Sequence, residues 1–281
     1  MNKIALIINS SKDLEKEIEK NLIMDIRDIF PKTSIVVFNK ISDKELQGNL
    51  DIDMVITVGG DGTVLSSSKI ICKYEIPIFA VNYGNLGFLT AIEKDDFKKA
   101  LAKIKNKEYY IEKRIMIQCD VEGKNTSYHC LNDIVISKGT LSRIVEYEIT
   151  IDDKPYMKIK ADGIIVSTPT GSTAYAMSAG GPILYPTLQV LSITPICPHI
   201  MTMKTMIIDS KSQVKIIAKN ASEQVYLTLD GQQYTKIDKE DIITIKEYEH
   251  RCNLIRLQNY DYFDTLNKKI IPCGYRREAK K

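Results

Sequence analysis

The sequence predicts an α+β protein in two parts: an N-terminal α/β domain with a parallel sheet, residues 1–92, and a mainly antiparallel, sandwich-like β domain, residues 93–261. Three observations carry this. Through residue 92, short apolar runs alternate with stretches of helical periodicity, the pattern of strands joined by helical crossovers. From residue 111 onward apolar and polar residues alternate with period two, and turn residues recur at short intervals. The glycine-centred stretch Val55-Ile56-Thr57-Val58-Gly59-Gly60-Asp61-Gly62-Thr63-Val64-Leu65 runs from a β-branched segment straight into a helical one, and in parallel sheets ligands sit at such strand ends.

The first strand is residues 3–9, KIALIIN, apolar enough to be buried on both faces. Leu14, Ile18, Leu22, Ile26 and Ile29 then recur at helical spacing with charged residues between them, and Pro31 stops that helix. Residues 34–38 and 54–58 are the next two strands, a serine-bearing helix follows the glycines, and residues 76–82 form a fourth strand. Phe97, Leu101 and Ile104 mark a further helix. Ile111, Ile115, Ile117, Cys119 and Val121 then alternate with Glu112, Arg114, Met116, Gln118 and Asp120, which predicts one period-two strand. Turn signals at Glu122-Gly123-Lys124-Asn125, Asp152-Asp153-Lys154-Pro155, Asn220-Ala221-Ser222 and Asp230-Gly231 separate strands at 144–151, 213–218, 225–229 and 242–246.

Bulk properties narrow the class. At 281 residues there is room for two cores, and 44% hydrophobic with 27% charged residues is a globular balance. The net charge of +3 is small and the basic residues are dispersed apart from the tail at 276–281, read as a solvated terminus, so nucleic acid is not an expected partner. The six cysteines, at 72, 119, 130, 197, 252 and 273, form no CxxC pair, which points to reduced thiols and a cytoplasmic protein. The apolar run Ile4 to Ile8 is too short for a signal sequence, and nothing approaches a membrane span.

Gly59, Gly60, Gly62 and Thr63 have the makings of an anion site. Bare backbone approaches phosphate oxygens closely, and the amides of a helix start point at the negative charge. Asp61 needs its own reason, because a carboxylate beside phosphates is repelled unless it handles a proton or meets them through a metal ion; either role implies phosphoryl transfer. The absence of a following Gly-Lys-Ser/Thr excludes a Walker loop, and Leu65 stands where a dinucleotide fingerprint needs its third glycine. A second glycine loop, 82–89, carries Phe88, which is either a core plug or a face for a base. Two stretches interrupt the β pattern beyond. Asn132-Asp133 opens a strand instead of closing a turn. Residues 161–182, ADGIIVSTPTGSTAYAMSAGGP, offer hydroxyls and amides at the start of a short helix.

Taken together, GGDGT at 59–63, NYGNLGFL at 82–89, the Asn–acid pair at 132–133, DGIIVSTPTGSTAYAMSAGGPI at 162–183, TPICPH at 194–199 and Leu229-Asp230-Gly231-Gln232 resemble the NAD kinase family over nearly the whole chain. GGDGT alone is shared with 6-phosphofructokinases and lipid kinases; the STPTGSTAY stretch is what separates this family from them. The resemblance implies a closing helix at 262–267 that returns to the first domain, a site between the domains, and assembly as a tetramer or dimer. It implies transfer of the γ-phosphate of ATP, with a divalent metal, Mg2+ foremost, to the 2′-hydroxyl of the adenosine ribose of NAD.

The same resemblance implies residue roles. Asp61 stands near the 2′-hydroxyl as base or metal ligand, and Gly59, Gly60, Gly62 and Thr63 hold phosphates. Asn132 and Asp133 bond the ribose hydroxyls, although many members carry Glu at the second position. Phe88 packs on adenine, bordered by Thr170, Thr173 and Ala174, while Tyr175 stacks on a nucleotide ring with Ser178 nearby. Asp162 reaches the dinucleotide of a neighbouring chain, and Asp230 is a candidate for metal or phosphate geometry, with an ordinary hairpin turn as its alternative. His199 is read as structural, since no acid and no further zinc ligands accompany it. Lys158 and Lys160 are read as solvated strand lysines. Two competing readings remain at this stage: a related kinase acting on a lipid or sugar phosphate, and a non-catalytic dinucleotide sensor.

Overall fold

The computed structural model describes residues 1–8, 16–84, 87–124, 126–139, 144–200, 202–219 and 224–270. Leu14, Asn85, Leu86, Asn125, the turn at 220–222, Cys273 and the basic tail lie outside the described residues. The chain divides into two compact units, Met1–Glu112 with the segment beginning at Asn253, and Lys113–Cys252.

In the first unit, strands β1 (Lys3–Ile8), β2 (Ser34–Phe38), β3 (Met54–Gly59) and β4 (Ile78–Asn82) alternate with helices α1 (Glu17–Ile29), α2 (Asp43–Gln47) and α3 (Asp61–Ile71). The apolar runs pair in parallel, β1 with β2 and β3, and β3 with β4. β3 and β4 are buried at every position, as runs without alternation require. α1 turns Leu22 and Ile26 onto the sheet and ends at Ile29, with Phe30 as C-cap one residue before Pro31. β4 starts at Ile78, later than the sequence suggests. Pro77 has no amide to give the ladder, yet its carbonyl accepts from Val55 N at 2.9 Å. The short strand β5 (Ile92–Glu93) pairs with β4, and α4 (Phe97–Lys105) buries Phe97, Ala100, Leu101 and Ile104.

The single strand expected across 111–121 is two. β6 (Tyr109–Arg114) belongs to the sheet of the first unit and β7 (Ile117–Val121) to a sheet of the second. The alternation misleads because Glu112 and Arg114, read as outward-facing, are buried. The Glu112 carboxylate accepts from Arg256 Nε at 2.9 Å, and Arg114 Nη1 donates to Thr170 Oγ1 at 3.2 Å.

The second unit is a sandwich of two six-stranded sheets. After β7 come β8 (Ser127–Cys130), β9 (Asp133–Lys138), β10 (Val145–Ile151), β11 (Lys154–Ala161), β12 (Gly163–Ser167), the four-residue helix α5 (Tyr175–Ser178), β13 (Val190–Ile196), β14 (Met206–Asp209), β15 (Val214–Lys219), β16 (Val225–Leu229), β17 (Gln233–Ile237) and β18 (Ile242–Glu247). One sheet runs β11-β10-β15-β18-β7-β8 and the other β14-β13-β12-β9-β16-β17. Inward residues of both, among them Cys119, Ile136, Tyr147, Ile164, Ile216 and Leu227, form one core. Asp152-Asp153 and Asp230-Gly231 both take left-handed backbone conformations, with φ of 49° and 60°, and of 51° and 63°, which is the geometry of tight two-residue hairpins. The chain then returns to the first unit as β19 (Cys252–Leu257), which pairs in parallel with β4, and α6 (Tyr262–Ile270). The first sheet therefore reads β2-β1-β3-β4-β19-β6, mostly parallel.

Candidate functional site

The first unit places its glycine turn where β3 gives way to α3. Gly60 is the N-cap and Asp61 the first helical residue, so the amides of the first turn surround the position a phosphate oxygen would take. Among the described residues, the Asp61 side chain is held from one side. Phe88 N donates to its Oδ2 at 2.8 Å and Leu89 N to its Oδ1 at 3.0 Å. Gly87 makes this approach possible, since a Cβ built there would lie 1.8 Å from Asp61 Oδ1. Gly87 N in turn donates to Thr90 Oγ1 at 3.1 Å, closing a four-residue cradle. Each carboxylate oxygen uses one lone pair on the cradle and keeps acceptor capacity for a substrate proton or an ion. Phe88 is half-buried, with Lys269 Nζ 5.0 Å from its ring centroid.

In the second unit Asn132, Asp133, Ala174, Tyr175, Asp230 and Gly231 line one cavity of about 370 Å³, together with Val135, Ser137 and Thr228. The segment that carries the Asn–Asp pair is gripped by its backbone. Asp230 Oδ1 accepts from Asn132 N at 2.7 Å and Asp133 N at 3.3 Å, and its Oδ2 accepts from Leu131 N at 3.3 Å. Thr168 N donates to Asn132 O at 2.9 Å and Thr168 Oγ1 to Leu131 O at 2.6 Å. A Cβ on Gly171 would meet Asn132 O at 2.3 Å, which is why the hydroxyl-rich turn needs its glycine. Asp230 thus holds the backbone of Asn132 and Asp133 rather than presenting a bare carboxylate, and the hairpin turn and this clamp share one residue.

The remaining candidates lie around this cavity's wall or away from it. Thr170 is buried and accepts from Arg114, while Thr173 Oγ1 donates to Thr170 O at 3.4 Å. Ser178 is exposed at the end of α5, and Tyr175 is exposed at its start. Asp162 Oδ1 pairs with Lys138 Nζ at 2.9 Å. His199 is exposed, and its backbone N donates to Lys160 O at 2.9 Å. The exposed Lys158 pairs with the half-buried Glu148 at 2.6 Å, and each charge holds the other in its ionised form.

Sequence reasoning passed over Arg256, Glu112 and Arg114. The signal for the first was present: in Asn253-Leu254-Ile255-Arg256-Leu257 one arginine interrupts an apolar strand, and a charge that cannot reach water needs a partner.

Known families match both parts of the chain. The ATP-NAD kinase N-terminal domain family matches residues 6–109 and the ATP-NAD kinase C-terminal domain family residues 131–257. An NAD kinase of Clostridium botulinum (strain Loch Maree / Type A3) is 42% identical over 272 residues, covering 96% of both chains, and one of Clostridium tetani (strain Massachusetts / E88) is 40% identical over 276 residues, covering 96% of this chain and 99% of its own. Among solved structures, an NAD kinase from Archaeoglobus fulgidus in complex with ATP aligns at TM-score 0.77 and 25% identity over 95% of this chain and 97% of its own. Yeast NADH kinase complexed with NADH shares the fold, at TM-score 0.85 and 21% identity, over 100% of this chain and 90% of its own. With two family domains covering most of its length and relatives at 40% identity and above end to end, the chain belongs to the NAD kinase family.

Proposed function

We propose that the protein transfers the γ-phosphate of ATP to the 2′-hydroxyl of the adenosine ribose of NAD, giving NADP and ADP. The observation that carries this is the oriented Asp61 carboxylate at the start of α3, a proton acceptor built into an anion-binding helix terminus.

As the 2′-oxygen attacks the γ-phosphorus, the bond from that phosphorus to the β,γ-bridging oxygen breaks and ADP leaves. The hydroxyl proton passes to Asp61. Gly59, Gly60, Gly62 and Thr63 hold phosphate oxygens through backbone amides, and Phe88 takes the adenine face in the first unit. In the second unit Asn132 and Asp133 bond the ribose diol, since an amide and a carboxylate together donate and accept. Thr170, Thr173 and Ala174 border the base, with Tyr175 stacking on a ring, Ser178 beside it, and Asp162 directed to a neighbouring copy. The first unit, Met1–Glu112 with the segment beginning at Asn253, is then the phosphoryl-handling domain and Lys113–Cys252 the dinucleotide-binding and assembly domain, a division later in the chain than the expected one at 92/93.

Among the described residues no group of three or more His, Cys, Asp or Glu side chains is placed to hold a metal. That suits Mg2+, which keeps waters and takes one or two carboxylates plus substrate phosphates. Such an ion would be held by the triphosphate and water, with Asp61 as its protein contact only in the alternative to its role as base, and would neutralise phosphate charge.

Assembly into dimers or tetramers is supported by β14. It is an edge strand with Met206 and Ile207 exposed, and Ile183, Tyr185 and Leu188 are exposed in the same unit; such edges are normally covered. Sedimentation of the purified chain reports this directly. A cytoplasmic location is supported by the free thiols of Cys72, Cys119 and Cys197. No helix among the described residues is long and apolar enough to cross a membrane.

The test is NADP formation from NAD, ATP and Mg2+, with Asp61→Asn beside the wild type. The variant should fold and lose about 10²–10⁴-fold in kcat, the range of a lost general base. Purified protein that makes no NADP with either ATP or polyphosphate as donor would refute the assignment.

A further inference from the structure

Arg256 is fully buried near the end of β19, and its partner Glu112 on β6 is buried as well. A buried guanidinium is costly unless its donors are used. Here they are used in a particular direction. Arg256 Nε donates to Glu112 Oε1 at 2.9 Å, while Nη1 donates to Leu89 O at 3.0 Å and Thr90 O at 3.3 Å. Those two carbonyls belong to the cradle whose amides, Phe88 N and Leu89 N, hold the Asp61 carboxylate. The guanidinium lies over the Tyr260 ring, 4.3 Å from its centroid, and Nη2 has no hydrogen-bond partner among the described residues. An arrangement made for stability alone would fill that last donor or replace the ion pair with apolar side chains.

We propose that Arg256 is a positioning residue for the phosphoryl transfer: anchored by Glu112, it fixes the 87–90 turn so that two backbone amides hold Asp61 in its reactive orientation. This rests on the reading of Asp61 as the proton acceptor. Peptide groups are rigid, so pinning the Leu89 and Thr90 carbonyls also fixes the planes that follow them and restricts the φ and ψ that aim the amides of Phe88 and Leu89. Without the pin the cradle loosens by fractions of an ångström, enough to matter for a group that must meet an attacking oxygen in line. Lysine cannot substitute, because one ammonium does not span a carboxylate and two carbonyls in fixed geometry.

The experiment compares wild type, Arg256→Lys, Asp61→Asn and the double variant, with Glu112→Gln/Arg256→Met as a charge-free alternative should the lysine variant fail to fold. Arg256→Lys should lower kcat by about a hundredfold while KM for NAD and ATP stays within about twofold, because substrate contacts are intact. In the Asp61→Asn background the same change should cost nothing further, as expected of two residues acting through one group. Amide hydrogen exchange, which needs no activity, should speed up at Phe88 and Leu89 while β4 stays protected. Full kcat in Arg256→Lys, losses that multiply in the double variant, or unchanged exchange at 88 and 89 would overturn the proposal. If the wild type forms no NADP, the functional reading fails, and the exchange measurement still decides whether Arg256 holds the cradle.

Discussion

At the scale of single residues, the chemistry of the first unit turns on contact distances that leave no room for a methyl group. Gly87→Ala places a Cβ against the Asp61 carboxylate, so either the cradle or the carboxylate must move. We expect kcat for NADP formation to fall by about 10²-fold, the penalty for roughly ångström-scale misplacement, with the melting transition little changed. An active Gly87→Ala enzyme would show that the cradle does not set the position of Asp61. The sequence made Asp61 legible as a candidate reactive group because a carboxylate among glycines at a strand end, although also ordinary turn chemistry, stands where an anion site is expected. It made Gly87 legible only as part of a glycine-rich loop, since the side chain that forbids a Cβ there is 26 positions upstream, at Asp61.

At the scale of elements, the candidate residues of each unit sit at a strand end braced by a turn from elsewhere. The β16–β17 hairpin does this for β9, its Asp230 taking three backbone amides at 131–133. Asp230→Asn removes charge from those bonds and turns an N–H2 toward one of the donors. A loss of about 1–3 kcal/mol in urea unfolding is expected, with a higher KM for NAD because Asn132 and Asp133 lose their fixed backbone. Unchanged KM would mean that the strand start is held by Thr168 and the 171–173 turn without it. The strands and this hairpin were readable from period-two alternation and Asp-Gly, whereas the split between β6 and β7 was not. Alternation reports which residues share a face; it cannot report that two inward-facing charges have found buried partners.

At the scale of the whole molecule, each unit buries a thiol in its core, Cys72 in the first and Cys119 in the second, while Cys197 is exposed. Burial pushes Cys72 in the first unit and Cys119 in the second up to about 12 from an ordinary 9.0, and it raises the phenol of Tyr147 as well. Below pH 9 the folded and unfolded chains both keep these thiol protons, so stability does not depend on them. Between pH 9 and about 12 the unfolded chain releases them and the folded chain does not, so stability falls as pH rises, by up to about 1.4 kcal/mol per pH unit for each thiol. Urea unfolding at pH 8, 9.5 and 10.5 should show this decline, and a flat profile would contradict the buried, protonated thiols.

The sequence alone determined the fold class and the places of the glycine turn with its carboxylate and of the hydroxyl-rich stretch, whose roles in the reaction are proposals. All of these are written in short windows: a period of two or of 3.6, a glycine where backbone must be bare, a carboxylate where phosphates are expected. What holds those groups was decided only by the tertiary structure. Phe88 reaches Asp61 across 27 residues, Asp230 reaches Asn132 across 98, and Arg256 reaches Glu112 across 144 and Leu89 across 167. A hydrogen bond is specified by two atoms brought within about 3 Å, and no local pattern in the chain encodes which distant atom arrives.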